Sequence, residues 1–308
     1  MRVESLHTSS PHTTISETTH TSSRSQSQSD AAHTSSWSQT GDVSPARIAH
    51  AEGDPARVSL PFPRHRRQQL LGWLGRAGQR KLAASTVLIT RVGGLGGPLA
   101  QSLALAGVGR IVFFHEGSLI EEDLHRMILM DPRGVGEARA PQARASLQRI
   151  AHPDACIQGF AARITAADAE RWMPAADIAI GAAPTYEERL LLGDIARKHR
   201  KPFVDAAMYD DEAQLLCVHP TEGACLRCLV PEPPAWRADF PVLAAVSAAI
   251  GNLAAYHCIR ILAGAEPIPW GELIHMDMER MTLKKTRLTR SPACGTCAES
   301  ATMNGRHR

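Results

Sequence analysis

The sequence predicts a doubly wound α/β fold: a mainly parallel, Rossmann-like sheet with helices on both faces and a metal-clipped subdomain at its C-terminal end. Three observations predict it. From about Leu60 onward, short apolar runs alternate with helix-like stretches, the pattern of strand–helix–strand crossovers. The first apolar run opens into a glycine-rich turn, Gly93–Gly94–Leu95–Gly96–Gly97. Two Cys-x-x-Cys pairs, Cys225/Cys228 and Cys294/Cys297, bracket the last third of the chain and supply the four thiolates of a tetrahedral zinc site.

In chain order, Arg64 to Leu82 carries a helical pattern, and Thr86–Thr90 reads as a short buried strand. Pro98–Ala106 reads as a helix with proline in its first turn, where the missing N–H is harmless. Arg110–Phe114 is the second strand, and an Ala- and Arg-rich helix follows at Pro141–Ile150. Further strands are expected at Ala155–Gln158, Asp177–Ala182, Pro202–Ala206 and Gln214–His219, with a helix at Tyr186–Lys198. Val242–Ala263 is a long apolar helix stopped by Gly264. Residues 1–58 are rich in Ser, Thr, His and Gln without apolar periodicity and are expected to form a disordered tail. The folded domain is expected over 59–298 and a flexible end over 299–308.

Composition narrows the setting. With 34 Lys+Arg against 31 Asp+Glu, a net charge of +3 gives no basic footprint for nucleic acid. Neither a run of eighteen uncharged apolar residues nor a basic start followed by an apolar core is present, so no membrane span and no secretion are expected. Seven cysteines, four of them in metal-ligand spacing, fit a reducing compartment and a cytoplasmic protein better than a disulfide scaffold.

The cysteine pairs would fill all four positions around zinc, leaving no open site for substrate, so the expected role is structural. The alternatives are two dithiol redox motifs or four unlinked thiols. In the glycine turn, Gly93 and Gly96 take the positions that admit phosphates and bring the helix close to the strand, while Arg91 occupies the place of the first glycine. The helix that follows offers free N–H groups to an anion. A turn kept only for packing, or a reductase-like dinucleotide site, would also use such glycines. An acid that holds ribose is expected about 20 residues later. His115 falls there, and Glu116 is one residue further.

At this point the residues resemble the ThiF/MoeB/HesA family, the bacterial relatives of ubiquitin-activating enzymes. The resemblance runs from Arg64–His65–Arg66–Arg67–Gln68, similar to R-Y-S-R-Q, through the Gly93–Gly94–Leu95–Gly96 loop, Ala106–Gly107–Val108–Gly109 and Leu124–His125–Arg126. It spans nearly all of Arg64–Cys297 and includes Cys225–Leu226–Arg227–Cys228–Leu229–Val230–Pro231–Glu232–Pro233–Pro234, similar to the family's C-x-R-C-x-x-P-E-P-P zinc turn. The resemblance implies ATP- and magnesium-dependent adenylylation of the C-terminus of a ubiquitin-like or sulfur-carrier protein, or of a peptide. It implies a homodimer, or a heterodimer with an active relative, in which Arg67 reaches a neighbour's phosphates. Gly93, Gly94 and Gly96 match the phosphate loop, Arg126 the arginine after the second strand, and Arg139 a phosphate-binding lysine.

Departures from the pattern cluster at the charges. His115 stands at the ribose aspartate and Gly117 at its companion acid; Asp123 replaces an asparagine next to the phosphates. The family's D-G-T-D-N, whose later aspartate holds magnesium, reads Gly181–Ala182–Ala183–Pro184–Thr185. Glu116 could substitute at the ribose, and Asp205, Glu187 or Asp177 at the metal. Two functions follow as expectations: a divergent adenylyltransferase, or a non-catalytic scaffold or partner that retains the fold and its peptide-binding surface.

Overall fold

The computed structural model describes residues 63–235 and 239–297, so the expected tail at 1–58 and the end at 299–308 lie outside the described residues. Eight strands form one sheet: β1 (Thr86–Ile89), β2 (Arg110–Phe114), β3 (Cys156–Phe160), β4 (Ile178–Gly181), β5 (Phe203–Tyr209), β6 (Glu212–Val218), β7 (Glu272–Asp277) and β8 (Thr282–Arg287). Their order is β3-β2-β1-β4-β5-β6-β7-β8. The first five are parallel, with Val87 opposite both Ile111 and Ile178. The last three continue as an antiparallel meander.

Alternation along the strands sorts side chains into two cores. Val87, Ile89, Ile111, Phe113, Ile178 and Ile180 face one layer; Leu88, Val112, Phe114 and Ala179 face the other. The first layer is built by α1 (Gly75–Ala84), α2 (Gly96–Ala106), α3 (Arg139–Ile150) and, late in the chain, by α7 (Ala244–Ala263). The second holds α4 (Ala166–Trp172), α5 (Tyr186–Lys198) and the single turn α6 (Leu226–Leu229). The α7 stretch is long and apolar enough to cross a membrane by composition, but just over half of it is buried here. It packs on α2, α1, β5 and β6. Close approach explains its glycine: a Cβ at Gly251 would stand 2.4 Å from the Leu95 carbonyl oxygen.

Several expectations change. The single helical pattern at Arg64–Leu82 divides into two 3-10 turns, Pro63–His65 and Gln68–Leu70, followed by α1, because Gly75 takes a left-handed φ of 54°. Strands β7 and β8 were not expected. β8 is Thr-Leu-Lys-Lys-Thr-Arg on an open edge, so solvent covers most of it and no apolar run marks it. Helix α4 was also missed, although Thr165 and Asp168 form its capping box, with the Asp168 amide donating to the Thr165 hydroxyl at 3.1 Å.

A cleft at the strand ends and a four-cysteine cluster

Chain connections leave β1 toward β2 on one side and arrive at β4 on the other, so the sheet has its switch point between β1 and β4. Ligands of doubly wound sheets sit outside the carboxyl ends of the strands at such a point. A cleft of about 680 Å³ opens there. Gly93, Gly94 and Leu95 line it from the loop after β1, His115 from the end of β2, and Ala182 to Pro184 from the end of β4. It continues over β5 and β6 to Tyr209, Phe240 and His275.

The loop is shaped by a steric demand. A Cβ at Gly96 would lie 1.9 Å from the Arg91 carbonyl oxygen, so only glycine lets α2 begin this close to β1. Beside it, the Arg126 side chain lies over Gly94, whose added Cβ would be 3.0 Å from Arg126 Cδ. Arg126 and Arg139 both line the cleft. Both donate to one carboxylate, that of buried Asp123: Arg126 Nη2 to Oδ1 at 3.1 Å, and Arg139 Nη2 to Oδ2.

Arg91 is where sequence reasoning saw only a lost glycine. Its guanidinium is nearly buried and donates to Glu188 on the first turn of α5, from Nε at 2.9 Å and from Nη2 at 2.5 Å. Nη2 also reaches Glu116 Oε1 at 2.6 Å. Arg163 joins the group, with Nε 3.1 Å from Glu116 and 3.6 Å from Glu188. Glu116 therefore ties three loops together and is not among the residues lining the cleft. Hydrogen bonding from Arg91 holds its carboxyl below the usual range. A buried charge in the loop needs acids around it; that requirement was legible, since Arg91 sits in an otherwise apolar turn.

His115 is 2% exposed, lines the cleft and has no partner for Nδ1. Burial, reinforced by Arg139 and Arg91, pushes its pKa down to about 3, so the ring is neutral at ordinary pH. Arg189 also lines the cleft, stacked over Tyr186 at 4.4 Å, and donates in a fork to buried Asp205 at 2.8 and 2.5 Å. Asp177 is at the opposite end of the sheet, accepting the Thr86 amide at 2.8 Å, and Glu187 is exposed.

Away from the cleft, the four expected thiols come together between α6 and the tail. Their sulfur atoms all lie within 4.8 Å of one another, with Cys225–Cys297 at 3.4 Å, Cys225–Cys294 and Cys228–Cys297 at 3.6 Å and Cys225–Cys228 at 3.9 Å. Four sulfurs at about 2.3 Å from a tetrahedral zinc stand about 3.8 Å apart. The cluster fits one metal ion. All four thiols are free of disulfides. Burial pushes the Cys225 thiol up, a penalty that a bound cation reverses by taking a thiolate. Asp194 on α5 pins both turns, accepting from Arg227 Nη2 at 2.5 Å and from the Thr296 hydroxyl at 2.8 Å.

Residues 65–296 match the ThiF family. This chain belongs to the ThiF family. Among its relatives, the heterocyst HesA protein of Trichormus variabilis is 38% identical over 239 residues, covering 77% of this chain and 89% of that protein. A sulfur carrier protein adenylyltransferase of Thermus thermophilus is 30% identical, covering 78% and 92%. The crystal structure of E. coli MccB with ATP superimposes with a TM-score of 0.68 at 20% identity, covering 78% of this chain and 75% of that one, a likeness of fold.

In this ThiF-family cleft, the residues do not fit magnesium. The ion needs hard oxygen ligands. Ala182, Ala183 and Pro184 offer no side-chain oxygen at the end of β4, each oxygen of buried Asp205 already accepts from Arg189, and the carboxylates of Glu122 and Glu212 in the lining are exposed. His115 at the end of β2 is a neutral imidazole, which cannot accept two hydroxyls as a carboxylate does. The opening motif divides by role. Arg64 Nη1 donates to the Ala151 carbonyl at 2.6 Å, and Gln68 Nε2 to the Ala106 carbonyl at 2.7 Å, closing the ends of α3 and α2. Arg67 is exposed and does not line this chain's own cleft.

Proposed function

We propose that this chain recognises the C-terminus of a ubiquitin-like or sulfur-carrier protein, or of a peptide, as a ThiF-family scaffold or partner without the family's magnesium-dependent adenylylation. One observation carries the reading. The three buried acids beside the cleft, Asp123, Glu188 and Asp205, are each held in an ion pair with arginine. Among the described residues beside the cleft, no buried carboxylate is left unpaired; Glu122 and Glu212, which also line it, are exposed. Adenylyl transfer depends on charge neutralisation at the phosphates, and losing one stabilising group commonly costs about 3–4 kcal/mol in barrier. The floor that continues over Met208, Tyr209 and Phe240 suits an extended chain end.

Relatives support the partner class: one is an adenylyltransferase of a sulfur carrier, and MccB was solved with its MccA peptide. The exposed Arg67 supports a dimer, homotypic or with an active relative, in which it serves the neighbouring cleft. The cysteine cluster is assigned one structural zinc, and the free thiols favour a reducing, cytoplasmic setting. A second reading, an active ATP-dependent adenylyltransferase, is favoured by the retained Gly93–Gly94–Gly96 loop with Arg126 and Arg139 on one cleft.

ATP–pyrophosphate exchange with candidate carriers, run beside a carrier-binding measurement, separates the two. The scaffold reading expects carrier binding with exchange at background. Magnesium-dependent exchange that disappears in Arg67→Ala establishes the enzyme instead.

A further inference from the structure

We infer that Asp123 is a built-in counter-anion that occupies the phosphate corner of the cleft, and that this carboxylate sets how weakly the corner accepts a polyphosphate. The inference deepens the reading of the cleft as the ligand site and rests on it. Asp123 is 2% exposed, and each of its oxygens meets a different guanidinium, Arg126 on one side and Arg139 on the other. Both arginines line the cleft, and under a fifth of each side chain is exposed. Two forked cations converging on a single anion is the arrangement that otherwise receives a phosphate.

Buried polar atoms around the pair remain unmatched. Arg139 Nε is buried and has no partner, and neither has His115 Nδ1. The Arg126 stem rests on Gly94, in the loop two residues before α2. The geometry is therefore that of an anion site with its anion supplied by the chain. A polyphosphate entering the corner meets a fixed negative charge within contact distance of both arginines, and that charge opposes it. The Asp123 backbone connection is conserved by an amide: Oδ2 also accepts the Ile120 N–H at 3.3 Å, which an asparagine oxygen can keep.

The test is calorimetric titration of inorganic pyrophosphate, and separately of ATP, into the full chain and into Asp123→Asn. No carrier is present, so failure of carrier recognition leaves this measurement unaffected. The variant is expected to bind pyrophosphate tighter by about tenfold or more, since a unit charge beside the ligand is removed. That gain should vanish in Asp123→Asn with Arg139→Gln. If the gain appears with ATP but not pyrophosphate, the base or ribose carries it and the inference is overturned. Equal or weaker pyrophosphate binding by a folded Asp123→Asn overturns it too, as does a gain that survives loss of Arg139. Should Asp123→Asn fail to fold, Asp123→Ser, whose hydroxyl can accept the Ile120 amide, is read by the same criteria.

Discussion

His115 shows how far a single replacement changes this cleft. An imidazole at the end of β2, buried among arginines, remains neutral to a pKa of about 3, so it offers one donor and one acceptor and no charge. The same burial links it to stability. Its folded pKa lies below the ordinary 6.5, so an unfolded chain takes up the proton first. The contribution is complete above that ordinary value and is lost as pH falls toward about 3, with a slope of up to about 1.4 kcal/mol per pH unit. Unfolding by denaturant at stepped pH should show His115→Gln with a flatter acid limb than the parent. Superimposable limbs would show that the ring is not held neutral. Asp205 and Arg189 make the complementary case: two full charges, both buried, that persist only because each supplies the other's partner.

At the scale of elements, the loop between β6 and α7 depends on its tie to the C-terminal turn. Cys225 is the N-cap of α6, a four-residue turn too short to hold itself, Cys228 lies within it, and Cys294 and Cys297 come from beyond the last strand. A metal joining the two would close a loop of roughly 70 residues, for which chain-entropy models assign about 4 kcal/mol or more. Cys225→Ser with Cys228→Ser is expected to bring zinc, measured by elemental analysis, from one ion per chain to none and to expose the C-terminal half to protease. Zinc unchanged in that double variant would place the ion elsewhere. Since the cluster lies outside the cleft, pyrophosphate titration should be far less affected than protease resistance.

Across the whole molecule, what was legible follows from where apolar residues sit. Buried strands such as Thr86–Ile89 and Arg110–Phe114 announce themselves as apolar runs, and the parallel half of the sheet was readable to within a few residues. Of the antiparallel part, β6 was readable at Gln214–His219 but β7 and β8 were not; β8 is covered by water and its Lys284 and Lys285 give no periodic signal. The four cysteines were readable from spacing alone, as chelation constrains sequence and space together. The cleft was readable by position but not by charge. Asp123 next to Arg126, and Arg91 in place of glycine, were visible as departures, yet only the fold shows that Asp123 meets Arg139 and that Arg91 meets Glu188. Such pairs join residues from 16 to 97 positions apart, and nothing local records them.

Among the described residues, arginines pair with the buried acids beside this cleft, Asp123, Glu188 and Asp205, and leave none of these three unpaired for magnesium. Crystals grown with magnesium and ATP test this pairing most directly. The account predicts no metal at the ends of β4 and β5, with Asp205 still held by Arg189. A magnesium ion on the triphosphate, coordinated by Asp205 or another carboxylate of this chain, would contradict it.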